Sequence, residues 1–292
     1  MQLVFHAGAH FTEEDRLIKC LLRNKEMFRS RGVAVPGPGS YRKLLRQTLE
    51  AMSQHDAAPN ARAVLLDAIL DDENADRMLL SNAHFFGTAQ IAVRKGRLYP
   101  KAAERMNHLA SIFHGDEIEL FMAVRNPATF LPACFKRSQH ETFATFMGGL
   151  DPRSVQWSDT FLRLRSAVPE VPLTVWCNED LPLLWGQIIR EIGGLEQGDP
   201  ITGAFDLLRN IMSRQGMARF AAYIERRPNL SEAQTRRIVA AFLNRYALDE
   251  KIDEEIDLPG WTTNLVNEMT ELYDDDVAAI GRIPGVRLIM PD

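Results

Sequence analysis

Three places in the chain combine reactive side chains with a spacing that can present them to a ligand. The first is His6-Ala7-Gly8-Ala9-His10-Phe11-Thr12, followed by Glu13, Glu14 and Asp15. The second is His84, set between Ala83 and the pair Phe85–Phe86, and the third is Arg125-Asn126-Pro127. A neutral imidazole suits proton abstraction from a hydroxyl near pH 7, which makes His84 the candidate general base. Small residues such as Gly8 and Ala9 let a backbone turn tightly and approach a ligand. Thr12 ahead of acidic residues reads as the capped start of a helix running to about Arg31, and free N–H groups at such a start face an anion. His10 could donate to a phosphate or sulfate there. No Gly-Lys-Ser/Thr follows, so the side chains that usually hold a phosphate by charge are absent, which also argues against a P-loop kinase.

His6, His10 and the Glu13–Asp15 run have the atoms for a divalent metal. His10-x-x-Glu13-Glu14, however, is no established spacing on one helix face, so no metal is expected. Cys20, Cys134 and Cys177 are far apart and form no CxxC, which reads as reduced structural thiols. Asp71-Asp72-Glu73 and Asp274-Asp275-Asp276 read as solvated loop and helix-start charges. Trp176, Trp185 and the run Phe135–Phe146 read as core.

The elements that must position these groups follow from periodicity. Apolar runs at 2–6, 77–82, 117–124 and 171–177 read as strands, separated by helical patterns. Strands alternating with helices argue for parallel βαβ units with helices on both faces. Ligands in such sheets sit beyond the carboxyl ends of the strands, so the loops at 7–15, 82–87 and 125–127 form the candidate site. The expected fold is a three-layer α/β domain with a parallel sheet of four or five strands. From Thr202 the pattern is helical, at 204–224, 231–246 and 265–281, with Ser231-Glu-Ala-Gln234 a capping box. A short extended apolar tail follows at 285–291. One domain is expected over 1–292, with an α/β core to about 200 and a C-terminal helical part after it.

At 292 residues, 46% hydrophobic and 25% charged, the composition is that of an ordinary globular protein. A net charge of −5 gives no general reason to expect nucleic acid or an acidic membrane as partner, although a local basic patch remains open. Met1 leads straight into the first strand without a basic leader or cleavage site, and no run approaches a membrane span. A cytoplasmic location is the expectation, with a homo-oligomer surface on the C-terminal helices left open.

Several segments, in order, carry a family resemblance. His6-Ala-Gly-Ala-His10 after a strand resembles the start of the 5′-phosphosulfate loop of bacterial sulfotransferases. Phe28-Arg-Ser-Arg-Gly-Val33 resembles the segment after that family's first helix. Val124-Arg125-Asn126-Pro127 is similar to its 3′-phosphate segment. Trp176-Cys-Asn-Glu-Asp-Leu181 is similar to its later strand-to-helix turn, and Tyr273 with Ile283-Pro-Gly-Val286 to the end of some members. The resemblance implies a P-loop NTPase-like fold that moves sulfuryl from 3′-phosphoadenosine 5′-phosphosulfate (PAPS) to a hydroxyl on a small molecule or glycan. It implies that Gly8, Ala9, His10, Phe11 and Thr12 hold the 5′ end, that Arg125 holds the 3′-phosphate, and that His84 deprotonates the acceptor. The chain departs from the family pattern at the charged positions. Phe11 stands where the family has its loop lysine, Glu13-Glu14-Asp15 where Gly-Thr-Thr follows, and Ala133 where a serine is expected. Lys136 and Arg137 are then the candidate neighbours of Arg125. A catalytically degenerate ligand- or protein-binding module is the alternative, and a basic group reaching the loop from Arg42, Lys43, Arg94 or Lys95 would favour the enzyme.

Overall fold

Leu3, Val4 and Phe5 are buried in succession on the first strand, β1 (Gln2–His6), as a strand covered on both faces requires. The computed structural model describes residues 1–13, 15–71, 73–252, 254 and 256–291; Glu14 and Asp72, read above in acidic runs, lie outside the described residues. After β1 come α1 (Arg16–Arg23), α2 (Lys25–Arg29), β2 (Val33–Ala34), α3 (Pro38–Ala51), α4 (Ala61–Leu70) and β3 (Arg77–Ser81). A small hairpin, β4 (Val93–Arg94) and β5 (Arg97–Leu98), precedes α5 (Ala102–Ile112) and β6 (Glu117–Val124). Then follow α6 (Pro127–Arg137), α7 (Phe143–Met147), α8 (Trp157–Ala167), β7 (Leu173–Cys177) and α9 (Leu181–Gly193). The last part holds α10 (Leu208–Ile211), α11 (Arg214–Glu225), α12 (Glu232–Tyr246), α13 (Asp249–Ile252), α14 (Thr263–Ile280) and β8 (Val286–Ile289).

Six strands form one parallel sheet in the order β2-β3-β1-β6-β7-β8, so β1 is central, flanked by β3 and β6. Alternation along β1 sends Leu3 and Phe5 into one core and Val4 into the other. The first core takes side chains from α3, α5, α6, α8 and α14; the second takes them from α1 and α9. This is the α/β architecture expected, with helices on both faces and further C-terminal helices. The sheet is wider than expected, because β2 and the extended tail, β8, add an edge strand at each side.

Several boundaries differ. The helix anticipated from Thr12 to Arg31 is two helices, and it begins only after Asp15, whose φ of 62° is left-handed and whose side chain makes no cap. The helical pattern between the third and fourth strands, at 129–145, is two helices, parted at Ser138, where ψ turns to 170°. Residues 204–224 divide into α10 and α11, with the bridge Met212–Ala247 beside the break. The C-terminal helices pack in two places: Met269, Tyr273, Val277 and Ile280 of α14 belong to the main core. Leu208, Met212, Phe220 and Val239 make a small separate cluster among α10–α12. Asp276, read as a solvated charge, is buried within α14 and accepts from the backbone N–H of Trp157 at 2.6 Å and of Ser158 at 3.3 Å. Its carboxylate thus satisfies orphan donors at the start of α8, a helix that lacked a clear sequence signal. Among the described residues no helix is long and apolar enough to cross a membrane.

Candidate functional site at the carboxyl edge of the sheet

The chain leaving β1 does not open at once into a free anion cradle. The N–H of Ala7 donates to Phe121 O at 2.9 Å and that of Ala9 to Ala123 O at 3.1 Å, while Ala123 N–H returns to Gly8 O at 2.5 Å. Pairing with β6 therefore consumes amides that a phosphate loop would leave free. Gly8 has φ 92°, and a Cβ there would sit 3.2 Å from both Cα and Cβ of Ala83. Only glycine meets both demands, and the result is a close approach between the β1 and β3 loops.

That approach brings two of the candidate histidines together. His10 Nε2 lies 3.2 Å from His84 Nδ1, and His10 Nδ1 lies 2.7 Å from the Tyr99 hydroxyl. The His10 ring is stacked on the buried Tyr99 ring at 5.7 Å and 7°. The His10 backbone N–H also donates to the Tyr99 oxygen, at 2.8 Å. Two tautomer chains satisfy these contacts. In one, Tyr99 O–H donates to His10 Nδ1, and His10 Nε2–H donates to His84. In the other, His84 Nδ1–H donates to His10 Nε2, and His10 Nδ1–H donates to the Tyr99 oxygen; the Nε2 of His84 then carries the lone pair that can accept a proton. Burial, with the neighbouring His84 second, brings the His10 pKa down to about 3. His84 is exposed but also lowered, first by desolvation and then by the Arg42 charge. His10 thus stays neutral and orients His84 without competing for its proton.

The charged side of the site is already paired. Phe11 has φ 58°, its ring lies 6.4 Å from Phe130, and its carbonyl accepts from Arg125 Nη1. Arg125 is buried, with Nε donating to Thr129 Oγ1 at 2.9 Å and Nη2 paired with Glu254. Thr129 rather than Lys136 or Arg137 is thus the polar neighbour on α6. The Thr12 hydroxyl lies 2.8 Å from Ala9 O and 2.5 Å from Glu13 Oε2, so its bonds are local and it caps no helix. Of the basic groups considered for the missing lysine, Arg42 comes near the loop. Its fork grips Asp15 at 2.6 and 3.1 Å and also donates to Ser81 O. The Arg42 hydrogen bond holds the Asp15 carboxyl below its usual pKa, so the pair persists as an ion pair.

His6 lies inward of this edge, buried and stacked on Trp176 at 5.7 Å. Its Nδ1 is 2.9 Å from Ser81 Oγ and 3.7 Å from Glu13 Oε1, and burial lowers its pKa. It belongs to the packing beneath the loop and not to the His10–His84 chain. Asn126 Oδ1 caps α6 through Ala128 N–H at 2.9 Å, and Glu179 accepts from Asn126 N–H and Tyr273 O–H, which ties the β6 and β7 ends together.

Tyr99, Thr129 and Glu254 also belong to this edge, and no local sequence signal marks them as site residues. Tyr99 follows the small hairpin and precedes Pro100, and no spacing relates it to His10. An open depression of about 490 Å³ lies under the amino ends of β1 and β6, and another of about 650 Å³ lies beside α1. Neither is lined by a candidate side chain. Among the described residues no group of three or more His, Cys, Asp or Glu could hold a metal ion. No protein-family model, no curated protein and no solved structure matches this chain, so its place is that of an α/β protein with a six-stranded parallel sheet.

Proposed function

We propose that the chain is a sulfotransferase-like protein whose carboxyl edge receives a hydroxyl-bearing ligand, with His84 accepting the hydroxyl proton. The observation that carries this reading is the 3.2 Å contact between His84 Nδ1 and His10 Nε2, with His10 itself fixed on Tyr99. A base oriented by a second group, and that group by a third, is the arrangement proton abstraction needs. In the active form of this reading the acceptor oxygen attacks the sulfur of PAPS, the bond from sulfur to the leaving phosphate breaks, and the acceptor proton passes to His84 Nε2.

PAPS fits this edge only in part. Arg125 has the planar fork that suits a phosphate, but Glu254 holds one of its arms. The 8–12 loop supplies no cation, and stabilising charge on a leaving phosphate is commonly worth several kcal/mol. These facts favour the second reading, a catalytically degenerate module that binds a ligand or protein at this edge.

Calorimetric titration with 3′-phosphoadenosine 5′-phosphate separates the two. The first reading expects heat with the wild type, tighter binding by Glu254→Gln, and loss of binding in Arg125→Ala. Absence of heat from both wild type and Glu254→Gln at millimolar ligand sinks the PAPS reading and leaves the binding module. If binding is seen, His84→Gln should retain it while losing sulfuryl transfer to a hydroxyl acceptor by about 10²–10⁴-fold.

A further inference from the structure

The net charge of −5 is the sum of two unlike parts. Residues 208–246, which form α10, α11 and α12, contain eight arginines, no lysine and only two carboxylates, Glu225 and Glu232. This stretch therefore carries +6, against −11 for the rest of the chain. All of these arginines except Arg236 are exposed. Glu232 is taken by Arg190 of α9. Among the described residues no carboxylate pairs with Arg214, Arg219, Arg226, Arg227, Arg237 or Arg245.

The arginines are also organised on aromatic rings. Arg219 of α11 and Arg245 of α12 converge on Tyr246, with Cζ 5.7 and 5.5 Å from its ring centre, and Arg219 Nη1 donates to the Tyr246 hydroxyl at 2.7 Å. Tyr246 lies 5.9 Å from Phe242, and Phe242 lies 5.8 Å from Tyr223. Arg227 covers Tyr223 at 3.8 Å, and Tyr223 is partly open to solvent. The result is a continuous ladder, Tyr246–Phe242–Tyr223, between the two helices, with guanidinium groups at both ends. Two cations held on one ring without a carboxylate repel each other, and a bridging anion relieves that repulsion.

We infer that the α11–α12 hairpin is a binding surface for single-stranded nucleic acid. Guanidinium forks bind phosphodiesters in a planar, bidentate way that lysine does not reproduce. Planar guanidinium and tyrosine faces beside them offer stacking to unpaired bases, the usual combination for single-strand binding. An anionic membrane fits less well. The apolar faces of both helices are already used by the cluster of Phe220 and Val239, which leaves little to insert into lipid.

The test is fluorescence anisotropy of a 5′-labelled 20-residue oligothymidylate with the full chain at 50 mM salt. Micromolar binding is expected, with log K falling against log salt at a slope between about −2 and −4, as for three to six neutralised phosphates. Arg219→Gln/Arg245→Gln should weaken it about tenfold or more. Arg214→Gln/Arg226→Gln, which touches no ring, should weaken it about threefold and guards against a folding artefact in the first pair. No anisotropy change at 50 µM protein overturns the inference, as does equal binding by both double variants and wild type. Retention on 3:1 phosphatidylcholine:phosphatidylserine vesicles, or on heparin, without oligonucleotide binding also overturns it and assigns the surface to that polyanion.

Discussion

From buried Tyr99 through His10 to the exposed His84 ring runs a chain of uncharged groups with the Arg42–Asp15 ion pair beside it, whereas at Arg125 the guanidinium is matched directly by Glu254. On the histidine side, one of the two tautomer chains leaves the Nε2 lone pair of His84 to accept a proton, beside a backbone hydrogen bond at Gly87. On the arginine side Glu254 and the Phe11 carbonyl occupy the guanidinium. The two halves sit at the ends of β3 and β6, on either side of β1, and share the β1 loop, yet one is a chain of hydrogen-bonded rings and the other is a self-compensated guanidinium. Charge alone does not make an anion site; a cation with a built-in carboxylate must exchange one anion for another, and the gain is only the difference between them.

The largest effect that tests this contrast is the pH dependence of stability through His10. Its folded pKa of about 3 lies below its unfolded value near 6.5, so the unfolded chain takes up the proton first. Its contribution is fully present above pH 6.5 and is lost as pH falls towards 3, reaching about 2 kcal/mol at pH 5 and about 5 kcal/mol below pH 3. Urea unfolding of wild type and His10→Gln at pH 7.5 and pH 5 measures it. The variant should lose about 2 kcal/mol less than wild type on acidification. Identical losses would mean that His10 is not held neutral, and the orienting role would go with it.

On the other half, Arg125→Ala should cost about 2–4 kcal/mol, because it strips partners from the Phe11 carbonyl and Thr129 and leaves a buried void. A cost below about 1 kcal/mol in urea unfolding would mean that the guanidinium is a guest in the site and not part of its frame. Gly8→Ala acts where the halves meet. With φ at 92° and Ala83 at 3.2 Å, it should cost about 1–3 kcal/mol and move the β1 and β3 loops apart. Histidine NMR titration reads the second consequence: the His10 pKa should climb from about 3 back towards 6.5. A destabilised protein with His10 unchanged would separate the glycine from the histidine pairing.

The strands β1, β3, β6 and β7 were legible because buried parallel strands are short apolar runs, and their carboxyl ends located the candidate loops. β8 was not read as a strand because a four-residue edge strand looks like any extended tail. Asp276 misled for a related reason: three successive aspartates look solvated, and only the packing of α14 on α8 reveals a buried cap. His10 and His84 stood out individually, but their pairing is set by Gly8 against Ala83, a contact across 75 residues. Tyr99 and Glu254 reach the site from distant segments, and local periodicity carries no information about such partners. The charge defects were legible, since Phe11 and the carboxylates after Thr12 are in the sequence itself; the matching of Arg125 by Glu254 was not.

The smallest expected effect on stability, and the most direct probe of the arginine half, is Glu254→Gln. The Glu254 side chain is 52% exposed, so water already screens its pairing with Arg125. Its removal should change unfolding free energy by less than about 1 kcal/mol, even though Arg125→Ala is costly. The asymmetry follows from partners: removing the exposed carboxylate leaves the guanidinium still donating to Phe11 O and Thr129 Oγ1, while removing the buried guanidinium leaves those acceptors without donors. The released arm of Arg125 should then take phosphate more readily, by about three- to tenfold in a phosphate titration followed through backbone amide shifts at Phe11 and Thr129. If Glu254→Gln destabilises the protein as much as Arg125→Ala, the pair is a structural clamp and the arginine half is closed to ligands.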